Sequence, residues 1–132
     1  MSQEASGKFD IELSQENAAD SQVGRFVISK RYHGGLEASA AGEMLAVRTA
    51  TEGSAGYVAM ERVSGTLNHL AGSFILQHTG SMNRGAQSIS VTIVADSGTG
   101  DLTGISGELK IEQSGGVHRY RLIYDLPVDR RE

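Results

Sequence analysis

Apolar residues recur at every second position over most of this chain, and glycine-rich breaks separate the runs. The alternation is plainest where Glu108, Lys110 and Glu112 interleave with Leu109 and Ile111. A period of two puts successive side chains on opposite faces of an extended strand, so the charged set faces water and the apolar set a core. The same pattern predicts strands at about 7–14, 23–32, 36–47, 56–67, 70–79, 87–95, 105–113 and 117–126. Gly34-Gly35, Gly53 with Gly56, Gly98 with Gly100, and Gly115-Gly116 punctuate them. Residues 36–47 are good helix formers, but Gly42 in their middle argues for a strand. Many short alternating strands with regular turn signals predict an all-β fold, a sandwich or a barrel.

Part of the pattern repeats. Gly65, Leu67, Leu70, Gly72, Phe74, Leu76 and Gly80 return as Gly100, Leu102, Ile105, Gly107, Leu109, Ile111 and Gly115. Asn68-His69 in the first copy and Thr103-Gly104 in the second occupy the place of a two-residue hairpin turn. Carrying the parity of the second copy to the first points Phe74, Leu76 and His78 inward, and Ser73, Ile75 and Gln77 outward. Counting back from the Asn68-His69 turn adds Leu67, Val63, Glu61, Ala59 and Tyr57 to the inner face. Ala59 then lies opposite His78, and Glu61 and Tyr57 become its diagonal neighbours, roughly 7–8 Å away between backbones.

The remaining strands extend that inner face. Phe9, Ile11 and Leu13 point in, with Phe26, Ile28, Lys30 and Tyr32, then Ile89, Val91 and Ile93, and finally His118, Tyr120, Leu122 and Tyr124. Such an interior is apolar at one end and polar at the other. Buried polar groups cost free energy unless paired, which implies an internal network, water, or a cavity open to a ligand. Val58, Met60 and Ile75 point outward and are more apolar than a solvated face requires, so a homo-oligomer is expected.

The 132 residues suit one domain, with an ordered core at about 7–126 and loose termini at 1–6 and 127–132. Net charge is −4 and the 12 Lys and Arg are scattered, which argues against a nucleic-acid partner. The absence of Cys excludes disulfide and thiol chemistry. The opening Met-Ser-Gln-Glu-Ala-Ser lacks a secretory signal pattern, and no apolar run approaches the ~18 residues of a membrane-spanning helix, so a cytoplasmic protein without a membrane partner is expected. Gly98-x-Gly100 precedes a strand, whereas phosphate loops lead into a helix; nucleotide binding is rejected and no cofactor is expected.

Glu61, His78 and Tyr57 form the candidate acid–base cluster, set against the plainer reading of a trio that satisfies itself. Tyr32, Tyr120 and Tyr124 offer hydroxyls that orient a ligand, or are core aromatics whose tips reach solvent. His118 joins them on the inner face. No paired-His spacing supports a metal on His78, His118 and Glu61, and none is expected. Arg84 stands as an anion contact or a solvated turn residue, and Lys30 is expected to snorkel.

Three stretches carry a resemblance: Gly56 to Leu67, Gly72 to Gly80 continuing to Met82, Arg84 and Gly85, and Asp96 to Gly107. Over about Gly7 to Leu126 the chain resembles a bacterial family of unknown function, small single-domain proteins with a barrel similar to that of allene oxide cyclase. The resemblance implies an eight-stranded antiparallel β-barrel. The last stretch is more distantly similar to a hairpin of allene oxide cyclases and dirigent proteins, where it is scaffold; none of the cyclase's catalytic residues falls on this sequence. The function is unknown, and three readings follow: a barrel holding a small hydrophobic ligand, a cyclase or isomerase using Glu61 and His78 for proton transfer, and a structural homo-oligomeric barrel without ligand.

Overall fold

The computed structural model describes residues 2–127. They form nine strands and no helix: β1 (Gln3–Gln15), β2 (Gly24–Gly34), β3 (Leu36–Arg48), β4 (Ala55–Leu67), β5 (Leu70–Asn83), β6 (Ala86–Ile93), β7 (Thr99–Gly100), β8 (Ser106–Ser114) and β9 (Val117–Asp125). Neighbours pair antiparallel in the order β4-β3-β2-β1-β9-β8-β6-β5, and β4 pairs with β5. The sheet is therefore a closed eight-stranded antiparallel barrel, and closure removes its edges. β7 is a two-residue appendage on β5, at Gly72 and Ser73. No helix of the described residues is long and apolar enough to cross a membrane.

The alternation holds around the barrel. Phe9, Ile28, Tyr32, Val63, Leu67, Phe74, Leu76, Val91, Leu109, Tyr120, Leu122 and Tyr124 are all buried. β3 is a strand throughout, and Gly42 serves it directly. A Cβ there would lie 2.0 Å from the Met60 carbonyl oxygen, so glycine lets β3 and β4 approach beside Glu61. Asn68 and His69 make the expected two-residue turn with φ of 46° and 76°, the left-handed geometry that matches strand twist.

The second copy of the repeat departs from expectation. Thr103-Gly104 does not join two paired strands: Gly100 pairs with Gly72 of β5, and residues 99–105 coil through short turns such as Leu102 N–H to Thr99 O, 2.9 Å, and Ile105 N–H to Leu102 O, 3.1 Å. Leu102 and Ile105 are buried as their counterparts' positions suggest, but they plug one end of the barrel with Leu36, Leu67 and Tyr124. This segment also covers Ile75, whose backbone N–H donates to Ser97 Oγ and whose carbonyl accepts from Val94. Ile75, outward by parity between Phe74 and Leu76, is half-buried. Residues 3–6 are not loose either, since β1 begins at Gln3 and pairs with β9 from Gln3 to Phe9. Of the expected C-terminal tail, residues 128–132 lie outside the described residues.

Candidate functional site

At the plugged end, tyrosine hydroxyls hold the barrel shut. Tyr120 OH donates to His33 O at 2.8 Å and accepts from Leu36 N–H at 3.0 Å, tying β9 to the β2–β3 turn. Tyr124 OH accepts from Asn68 Nδ2 at 2.7 Å and meets Gln3 Oε1 at 3.3 Å. His118, half-buried, stacks on Phe9 with ring centroids 5.1 Å apart. None of these three side chains lines the cavity described below.

In the middle of the barrel lies a buried ionic cluster. Glu61 on β4 is 1% exposed, His78 on β5 5% and Lys30 on β2 6%. Glu61 Oε1 takes His78 Nε2 at 2.5 Å and Lys30 Nζ at 3.0 Å; Oε2 accepts from Tyr32 OH at 2.5 Å. The ladder explains the first contact: Glu61 pairs with Leu76 and Ala59 with His78, so carboxylate and imidazole are diagonal neighbours on the inner face. Lys30 also donates to Tyr32 OH at 3.3 Å and rests 4.8 Å from the Phe9 ring centroid. Burial by itself pushes the Glu61 carboxyl up, but the His78 bond, the Lys30 charge and the Tyr32 bond together outweigh it and hold the group below its ordinary range. Burial raises Tyr32 well above a free phenol, and the adjacent Glu61 charge adds to this.

The other end of the barrel is open. A cavity of about 650 Å³ is lined by Phe26, Met44, Ala46, Tyr57, Gly80, Met82 and Ile89, with the β1–β2 loop at its rim. Gly80 makes room for Tyr57, whose ring would lie 2.1 Å from a Cβ at that position. The Tyr57 phenol is half-buried, and burial first and the Glu61 charge second raise its pKa. Leu13 and Ile89 share the inward parity but stand at this open end, which leaves both exposed.

Every side-chain nitrogen and oxygen shut off from solvent among the described residues has a partner. His78 is buried and its ring is engaged through Nε2. Leu76 and Phe74 seal the inner face below His78, whereas Gly80, Tyr57 and Ile89 above it line the cavity. Tyr57, two residues before Ala59 on the same face, is the tyrosine that lines the cavity.

The family model described as "Protein of unknown function (DUF3224)" matches residues 5–124. The chain belongs to the DUF3224 family. A crystal structure of a DUF3224 protein of unknown function from Shewanella oneidensis MR-1 is 41% identical, covers 96% of this chain and 98% of its own, and superposes with a TM-score of 0.90. No curated protein matches.

Of the residues singled out in this DUF3224 chain, the structure joins Glu61, His78 and Tyr32 in one cluster and puts Tyr57 on the cavity wall. Lys30 does not snorkel. It is the buried countercharge of Glu61, a role that its place beside Tyr32 on the inner face of β2 signalled. Arg84 occupies the β5–β6 turn with φ of 50°, its N–H bonded to Ser54 Oγ at 3.0 Å. Among the described residues no three His, Asp or Glu side chains converge to hold a metal ion. The cavity liners Phe26, Met44, Ala46 and Met82 carried no chemical signal; their mark was small or flexible apolar residues at inward positions near strand ends.

Proposed function

We propose that this DUF3224 barrel binds a small, mostly apolar molecule in its open end. The observation that carries the reading is the cavity of about 650 Å³, within the size range of small-molecule pockets and walled by Phe26, Met44, Ala46, Met82 and Ile89. The opposite end is packed with the buried side chains of Leu36, Leu102, Ile105 and Tyr124.

A thermal-shift titration with 2-methoxynaphthalene tests this. A ligand that binds only the native state raises the melting temperature with concentration. Wild type is expected to show that rise, and Ala46→Phe, which fills the cavity with a ring, to show none. A wild-type melting temperature that stays constant up to the solubility limit overturns the reading.

One observation favours a second reading, proton transfer of the cyclase or isomerase type: a carboxylate holds Nε2 of a buried imidazole that stands one inward position from Gly80 on the cavity wall. Both Glu61 oxygens are already occupied by three donors. In that chemistry Glu61 positions the ring and His78 alone meets the substrate.

We also propose that copies of the chain associate through the outer face of β3 and β4. Leu45 lies opposite Val58 there, Met60 is close by, and all three are exposed. The Arg25–Glu43 pair at 3.2 Å borders them, so the patch carries both charge signs and suits a self-complementary two-fold contact.

A further inference from the structure

We propose that the cavity takes an apolar molecule with a carboxylate at its outer end, which Arg48 holds at the barrel mouth. The inference rests on the cavity-binding reading above and adds the direction in which the ligand lies and the sign of its polar group.

Strand register arranges the cavity lining in layers. Arg48 lies opposite Ala55, Ala55 opposite Met82, and Met82 opposite Gln87, which makes the mouth. Ala46, Tyr57, Gly80 and Ile89 pair around the barrel one layer deeper, and Met44 pairs with Phe26 in the layer below. Arg48 therefore shares the inner face of β3 with Ala46 and Met44, and about 13 Å of strand separates it from the deepest layer. Among the described residues, the charged side chains that line the cavity are Arg48 and Asp20. Neither is held in an ion pair with another described residue. Asp20 belongs to the β1–β2 loop, whereas Arg48 stands on the wall itself. Ala55 opposite it has no polar side-chain atom, so the guanidinium keeps its fork of donors for a ligand. A carboxylate meets that fork with two parallel acceptors and the opposite charge. A neutral carbonyl accepts without the charge, and an ammonium is repelled. The acid must lie outward, because against Phe26 and Met44 it would be desolvated with no countercharge.

The experiment titrates the full chain at pH 7.5 with three fluorescent probes of one shape: 6-methoxy-2-naphthoate, the matching methyl ketone and the matching aminomethyl compound. At low salt the carboxylate is expected to bind about fivefold more tightly than the ketone, the upper range for an ion pair open to water. Raising the salt to about 0.5 M should shrink that margin, because exposed charges are screened. Arg48→Met keeps an apolar stem and removes the charge, and it should abolish the margin. Should Arg48→Met fail to fold, the salt series on wild type decides. A carboxylate no tighter than the ketone, an amine tighter than both, or a margin indifferent to salt or to Arg48→Met overturns the acid assignment, while ketone binding upholds the cavity reading. If no probe binds, both proposals fall.

Discussion

His78 Nε2 lies 2.5 Å from Glu61 Oε1 although the two residues are 17 positions apart in the chain, because one β-hairpin sets them diagonally on the same inner face. The contact joins fold to site: the hairpin register brings the pair together and sets His78 one inward position from Gly80, which lines the open cavity.

Removing the carboxylate should be costly. Glu61→Gln leaves Lys30 charged inside the barrel without a countercharge, and breaking a buried pair from one side typically costs about 3–5 kcal/mol. Urea unfolding should show that loss. A double variant, Glu61→Leu with Lys30→Met, removes both charges and should recover much of it. If the single variant is as stable as wild type, the ion pair does not carry the interior.

Acid should weaken the barrel through the same carboxyl. The folded Glu61 pKa lies below its ordinary value of 4.5, so near and below that value the unfolded chain binds more protons than the folded one. Its contribution is complete above pH 4.5 and is lost as pH falls through the depressed folded value. Unfolding free energies measured between pH 7 and about 3 should decline more steeply for wild type than for Glu61→Gln. Parallel profiles would contradict the assignment.

Two glycines with different surroundings should respond differently to one methyl group. Gly42→Ala drives a Cβ to 2.0 Å from the Met60 carbonyl oxygen, whereas the nearest atom to a Cβ at Gly56 is 3.8 Å away. Overpacking against backbone costs about 1–3 kcal/mol, so Gly42→Ala should lower stability by that amount and Gly56→Ala should change it little. Comparable effects would show that close approach is not what Gly42 provides.

Assembly through β3 and β4 predicts a mass above that of one chain in size-exclusion chromatography with light scattering at micromolar concentration. Val58→Lys, which puts a charge opposite Leu45, should reduce it to a monomer. A monomeric wild-type protein contradicts the interface.

Much of the barrel was legible because water enforces parity: Glu108, Lys110 and Glu112 could face only outward, and that fixed Leu109, Phe74, His78 and Glu61 inward. The Glu61–His78 contact followed from counting along one hairpin. Lys30 was harder, because burying an ammonium depends on a carboxylate two strands away, and that register is set by pairing β2 to β3 and β3 to β4. The repeat misled at Thr103-Gly104, where the same Leu and Ile positions plug the barrel end instead of extending a hairpin. Local spacing specifies a turn, but tertiary packing chooses which strand receives its arms. The cavity was illegible because it is made by what Ala46 and Gly80 leave unfilled and by where strands end.

The methionines offer the most direct test of a ligand in the open mouth. Met44 and Met82 line the cavity, and Met60 stands on the outer wall. In a carbon-13 methyl-methionine NMR titration with 2-methoxynaphthalene, the Met44 and Met82 methyl signals should shift together and saturate while Met60 stays fixed. Movement of Met60 alone, or no movement at any probe concentration, would contradict a binding cavity at that end of the barrel.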